Sequence, residues 1–390
     1  MKDFIDSREY RLTCISPVHI GSGETFKAFE YLYDRKNKKV GFIQEEKWQK
    51  MLLRHNLLQD FLALLKNTKS GYANLLEWLR RHNVPEKEIW DTVKRTALNK
   101  ADVSDSKNTL NDICVASSLA DGSLYIPGSS IKGALRTGIL YSILQRKNLG
   151  EQLAGKISYI MEHGNIKKDL SNLATKEEKH LLTCRRTVEG KDDVLLKVLS
   201  GLVVGDAHLL KPVNSVILQK VDVSTGTAKN GYHMSEHPIS LFRECIPAGA
   251  EFSLRISIDK KLLSYCKLGS LQEILAYCRE YLQQGLALQQ QVFGAFYKGA
   301  FKEAQQADFS LGGGTGFLQK SIWYSLFSDE RQAEWYLKQL LDCSFRKHDH
   351  RHQDRKISPR TLKLAVTGSQ KQIMGLCRIR CQICIRLNWL

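Results

Sequence analysis

Hydrophobic and polar positions alternate with a period of two in several separate stretches of this 390-residue chain. Tyr10-Arg11-Leu12-Thr13-Cys14-Ile15-Ser16 reads as a strand, and it runs into the turn-rich Pro17-Val18-His19-Ile20-Gly21-Ser22-Gly23-Glu24. Phe29 to Asp34 and Val40 to Ile43 predict a hairpin around the basic turn Arg35-Lys36-Asn37-Lys38-Lys39. From Glu45 to about Leu98 the period changes. Trp48, Met51, Leu52, then Leu58, Phe61, Leu62, Leu65, then Leu75, Leu76, Leu79 recur at helical spacing and predict a helical insertion. Asn99 to Asp112 is polar and reads as a loop.

Leu124-Tyr125-Ile126 is a short strand stopped by Pro127-Gly128. Ser129 and Ser130 are N-cap candidates for a helix through about Lys147. Residues 150–200 read as a second helical, charged insertion. Val213 to Val223 and Pro238 to Ile246 predict strands, with polar Ser224 to Glu236 as a long hairpin tip. Phe252, Leu254, Ile256 and Ile258 share one face of a strand. A helix from Ser270 to about Phe296 follows, then Leu311-Gly312-Gly313-Gly314-Thr315-Gly316-Phe317, then helices near 319–328 and 330–342. In Cys377 to Leu387 the odd positions are apolar and Arg378, Arg380 and Arg386 are even, so one face is buried and the other basic. This order predicts an α+β fold of two domains with antiparallel sheets: 1–235, with insertions near 45–120 and 150–200, and 236–390, with the Gly-rich loop 311–317.

Charge changes the picture. The balance of 58 Lys+Arg against 41 Asp+Glu is +17, which points to a polyanion as partner. Residues 346–390 hold 11 Lys/Arg and two Asp, so they contribute +9 of that excess. The start lacks an apolar signal core and the apolar runs are broken by charge, so no membrane association is expected. The ten Cys lack framework spacing and read as reduced thiols of a cytoplasmic protein.

Two segments suit a phosphate backbone. Gly312, Gly313, Gly314 and Gly316 would let a chain approach closely, and Lys320 lies four residues on. This is not a P-loop, because Gly316 is followed by Phe317-Leu318. A tight turn is the alternative. In Ile126 to Arg136, Ser129 and Ser130 offer hydroxyls, Gly133 gives room, and Lys132 and Arg136 share a helix face. An ordinary capped helix is the alternative there.

Metal and catalytic readings are weaker. Cys381 and Cys384 point to opposite faces of a strand, so Cys377, Cys381 and Cys384 read as thiols and not as a zinc site. His348, His350 and His352 read as a solvated basic loop with at most adventitious metal binding. No metal or cofactor is expected. His19, beside the first glycine turn, is the candidate acid–base group for metal-independent RNA cleavage, or else a hydrogen-bonded loop residue. No Ser/His/Asp, Cys/His or paired-carboxylate arrangement stands out.

Taken together, the Pro17–Gly23 turn, Ile126–Arg136 and Leu311–Phe317 resemble the RAMP superfamily of CRISPR-associated proteins. The late Ile357-Ser358-Pro359-Arg360-Thr361-Leu362-Lys363 and the terminal strand resemble, within it, the subunit capping the crRNA 3′ side of the type III-A (Csm) effector. The resemblance implies two ferredoxin-like (RRM-like) domains with helical insertions. It implies crRNA binding, docking on the repeated backbone subunit, and crRNA 3′-end maturation with trimming by recruited host nucleases. Target RNA is a further candidate partner. RNA would be held by Gly21, Ser22, Gly23, Ser129, Ser130, Lys132, Arg136, Gly312, Gly313, Gly314, Gly316, Lys320, Arg378 and Arg380. Backbone subunits of such complexes cut target RNA with a loop Asp; the turn here carries Glu24, so the expectation is a non-catalytic subunit. A precursor-processing endoribonuclease using His19 and the subunit binding the crRNA 5′ handle are the alternatives.

Overall fold

Alternation in Ile5–Cys14 puts Leu12 and Cys14 in the core and leaves Arg11 exposed. This strand is the centre of the first sheet in the computed structural model, which describes residues 4–67, 74–101, 110, 112–188, 191–228, 231–367 and 370–382. It pairs antiparallel with Glu251–Asp259 on one side and with Leu376–Cys381 on the other. Phe309–Ser310 extends one edge; Leu202–Val204, Ala207–Leu209 and Tyr125–Ile126 extend the other. The helices Gly128–Lys147 and Leu271–Phe293 cover the inner face. Ile131, Leu135 and Ile139 from the first, and Ile274 and Cys278 from the second, pack on Phe252, Leu254 and Ile256. Each aliphatic side chain so buried contributes about 1.5–3 kcal/mol. Ser270 starts the longer helix: its Oγ accepts from the Glu273 N–H, and the Glu273 carboxylate accepts from the Gly269 N–H.

The second sheet is built on a long hairpin, Ser215–Ala228 with Gly231–Cys245. Ile113–Ala116 and Gly21–Phe26 join one side; Val93–Asn99, Lys39–Ile43 and Tyr31–Asp34 join the other. Thr361–Thr367 pairs with Gln219 to Ser224, the middle of Ser215–Ala228. Helices between Glu45 and Asp91 pack their Trp48, Met51, Leu52, Leu76 and Leu79 under Leu32 to form a separate small core. The fold is α+β with mainly antiparallel, ferredoxin-like sheets and helical insertions. Both sheets take strands from either side of residue 235. Among the described residues no helix is long and apolar enough to cross a membrane.

The structure departs from the pattern in five places. Val93–Asn99 is a strand, not the end of a helix; its buried Ala97 and Asn99 flank exposed Leu98, a period of two hidden behind the leucine-rich run. The second insertion is helical only through Gly150–His163 and Ile166–Leu181, then forms the hairpin Thr183–Val188 with Lys191–Lys197. The polar stretch 224–236 is ladder, not hairpin tip: pairing continues to Ala228 opposite Gly231, because backbone pairing needs no apolar side chain and threonine favours extended chain. Near 319–328 there is one 3-10 turn, Trp323–Leu326, where buried Trp323, Tyr324 and Phe327 join a further core with Leu282, Leu286 and Leu337. The last strand ends at Cys381, with Cys377 and Ile379 buried, Arg378 half-buried and Arg380 exposed. Cys384 and Arg386 lie outside the described residues.

Candidate nucleic-acid interface

The two glycine segments, almost 300 residues apart in sequence, meet at His19. The Gly313 N–H donates to the His19 carbonyl at 2.8 Å. Gly312 has φ +80°, and a Cβ there would stand 2.2 Å from the same carbonyl oxygen. Only glycine satisfies both demands. The His19 ring is buried, with Nδ1 2.7 Å from the Glu244 carbonyl. A carbonyl only accepts, so Nδ1 donates, and in the neutral ring Nε2 keeps its lone pair beside Gly21.

Glu244 itself is fully buried. Its carboxylate accepts from Arg95 Nε and Nη2, at 2.9 and 2.6 Å, from the Ser215 hydroxyl at 2.7 Å and from the Ala116 N–H at 2.8 Å. A saturated buried carboxylate thus fixes the strand that fixes His19.

Burial lowers the His19 pKa from 6.5, against the opposing bond to Glu244. The unfolded chain therefore binds this proton at higher pH than the folded one. His19 contributes stability that is fully present above pH 6.5 and is lost as pH falls through the lowered value. The urea midpoint should fall between about pH 7 and about pH 5, and His19→Gln should shrink that fall. An identical fall in both proteins would contradict this account.

Beside this junction lies a cleft of about 360 Å³. Ser130, Gly133 and Thr137 line it from the helix Gly128–Lys147; Gly312, Gln319 and Lys320 line it from the glycine segment. Gly133 is exposed, and nothing lies within 4 Å of where its Cβ would be, so the absent side chain is open space on the cleft wall. Burial lowers the pKa of Lys132 and of Lys320, although Lys320 as a whole residue is exposed. Neither lysine has a carboxylate partner among the described residues, so both are available to an anion.

The structure brings together Gly21, Gly312, Gly313, Ser130 and Lys320 around one junction, and it separates others. Gly23 and Ser22 sit on the exposed strand Gly21–Phe26, where Ser22 Oγ accepts from the Glu24 N–H. Gly314 and Gly316, both at positive φ, continue the loop toward Met374 and Lys363. Ser129 and Ser130 are not caps. They lie inside the first turn, and the Asp206 carboxylate accepts from the Gly128 N–H at 2.7 Å instead. Arg136 faces an adjoining groove and is paired with Glu178, so the Lys132/Arg136 face is not doubly free. Arg380 is held at 2.7 Å by the buried Asp308, which also holds Arg279 and so anchors the chain entering the glycine segment. Arg378 Nε is buried without a partner among the described residues. The outer face of the first sheet pairs cations in place: Arg11 with Glu251 and Arg255 with Glu9.

His350 corrects the solvated-loop reading. It is buried, 2.9 Å from Asp354, which also accepts from Ser358 and Arg360. Cys377 is buried beside Cys14, Cys381 is exposed, and no group of three metal-ligating side chains occurs among the described residues. Glu244, Arg95 and Asp206 were missed from the sequence. A Glu within the apolar run Leu241-Phe242-Arg243-Glu244-Cys245-Ile246 was the available signal.

Two sheets built on widely separated strands, joined where glycine loops cross, define a class. The RAMP superfamily model matches residues 11–318, and the chain belongs to that superfamily. Within it the similarity is to proteins named CRISPR system Cms protein Csm5. It is 24% identical over 398 residues to the one from Mycobacterium tuberculosis, covering 97% of this chain and 98% of that one. It is 25% identical over 364 residues to the one from Enterococcus italicus, covering 87% and 86%. Its fold matches a chain of the cryo-EM structure of a Csm–crRNA–target RNA ternary complex of a type III-A CRISPR-Cas system, with TM-score 0.64, 20% identity and coverage of 96% and 100%. It also matches the crystal structure of T. onnurineus Csm5, with TM-score 0.55, 18% identity and coverage of 94% and 99%.

Proposed function

We propose that this chain is a crRNA-binding structural subunit of a type III-A CRISPR ribonucleoprotein. It caps the 3′ side of the crRNA beside the repeated backbone subunit, and it is needed for 3′-end maturation by recruited host nucleases. The carrying observation is the cleft at the His19–Gly313 junction: backbone open for close approach, hydroxyls of Ser130 and Thr137, and the ammonium of Lys320, which has no carboxylate partner among the described residues. Those groups suit sugar and phosphate contacts, which position a strand without reading its sequence. The extensive likeness to Csm5 proteins supports the same assignment.

The subunit is not itself a nuclease in this reading. His19 spends its carbonyl and Nδ1 on holding loops together, which favours a clamp over an acid–base group. The test is titration of the purified chain with single-stranded RNA across salt, with the RNA run on a gel afterwards. Log affinity should fall linearly with log salt by ~0.7 per phosphate, so Lys132→Ala with Lys320→Ala should lower the slope by ~1.4. The RNA should stay intact. Salt-independent affinity, or metal-free cleavage abolished by His19→Ala, would overturn the proposal. In cells, deleting the chain should leave crRNA 3′ ends untrimmed.

A further inference from the structure

The basic tract 346–360 and the Ile357–Lys363 motif converge on a second cavity. It measures about 550 Å³ and lies on the other side of the glycine segment. Phe317 and Leu318 of that segment line it, whereas Gln319 and Lys320 line the first cleft. The Gln319 amide donates to Gln289 Oε1 at 2.9 Å, so one hydrogen bond joins the walls of the two sites.

We propose that this cavity holds one nucleotide unit of the same single-stranded RNA, its base on Phe345 and its phosphate at Arg360 and Lys363. The proposal rests on the RNA-binding reading above. Its volume falls within the ~300–1,000 Å³ range of small-ligand sites. Phe345 lines it yet is 55% exposed, with the His348 ring edge-on at 6.3 Å. An exposed aromatic beside an imidazole is a stacking platform, and every base offers a π-face.

The polar wall suits the phosphate. Arg360 Nη1 is held by Asp354 at 2.8 Å and by the His348 carbonyl at 3.2 Å. Its Nε and Nη2 have no acceptor among the described residues and are fixed in place by that anchoring. Lys363 and Lys220 share one carboxylate, Asp222, at 2.6 and 2.8 Å, which leaves a net positive charge. Residues 346–360 carry six Lys/Arg and two Asp, a local excess of four. His237 and Ser224, 3.2 Å apart, add hydrogen-bonding groups on the same sheet, beside Asp222 and Lys363.

The test uses the full chain, single-stranded RNA carrying 4-thiouridine, and the variants Phe345→Ala and Phe345→Tyr. Phe345 is exposed, so neither change should unfold the protein. Ultraviolet crosslinks should map to the peptide containing Phe345–His348. Phe345→Ala should weaken RNA binding at least ~fivefold, and Phe345→Tyr should restore it. Wild-type affinity in Phe345→Ala, with crosslinks confined to 128–137 and 311–320, would overturn this pocket and leave the first cleft standing. A wild-type chain that binds no RNA would overturn both.

Discussion

Gly312→Ala should unfold the loop junction, whereas Gly133→Ala should stabilise the protein and still impair RNA binding. The contrast follows from what surrounds each missing Cβ. At position 312 the new atom would sit 2.2 Å from the His19 carbonyl oxygen, which is backbone and cannot swing away. The backbone there also lies at φ +80°, which costs an L-residue about 1–2 kcal/mol. Overpacking adds about 1–3 kcal/mol. A loss of about 2–5 kcal/mol is therefore expected, read as a lower urea midpoint at unchanged m. Position 133 is the reverse case. It lies within the helix Gly128–Lys147, at ordinary helical φ, with nothing within 4 Å of the added methyl. Alanine there should gain about 0.5–1 kcal/mol by helix propensity and by restricting the unfolded chain. The same methyl protrudes into the cleft, so affinity for single-stranded RNA should fall. If Gly133→Ala bound RNA as tightly as wild type, the strand would not run along this face. A Gly312→Ala protein as stable as wild type would mean that the junction carries no such constraint.

Those two glycines also show where sequence reading reaches its limit. Period-two alternation locates the second half of Ile5–Cys14, all of Glu251–Asp259 and the final strand, because each has one buried face. The sequence also places the start of the long helix at Ser270, where the structure shows its Oγ accepting from the Glu273 N–H. The hairpin beyond Val223 was not legible: its polar residues pair through backbone groups that every sequence shares. The glycine motifs were visible as strings, but their meeting at His19 is a long-range fact that spacing does not contain. Lys132 and Arg136 illustrate the same gap. Helical spacing put them on one face, and only the packing of the helix Ile166–Leu181 shows that Glu178 takes Arg136. Thr137 emerges as a cleft residue only through tertiary structure, opposite the Lys320 that the sequence already offers.

Arg95→Met should be the most destabilising of the polar substitutions. Glu244 is fully buried and Arg95 nearly so, and two hydrogen bonds at 2.9 and 2.6 Å join them. Removing the guanidinium leaves a carboxylate in the interior with only the Ser215 hydroxyl and the Ala116 N–H as partners. Breaking a buried pair in this way costs about 3–5 kcal/mol, because the remaining charge is neither hydrated nor neutralised. Replacing both ends, Arg95→Met with Glu244→Leu, removes the stranded charge and should recover part of the loss. Recovery should be incomplete, since the Ala116 N–H and the Ser215 hydroxyl would then lack an acceptor at about 1–3 kcal/mol each. Denaturant unfolding of the wild type, both single variants and the double variant gives the coupling energy directly. The effect should extend to function: the Glu244 carbonyl holds the His19 ring, and the His19 carbonyl holds Gly313. Arg95→Met should therefore weaken RNA binding even under conditions where most of the protein is folded, although Arg95 does not line the cleft. An Arg95→Met protein within about 0.5 kcal/mol of wild type, the range of a neutral surface change, would show that this network does not hold the junction together.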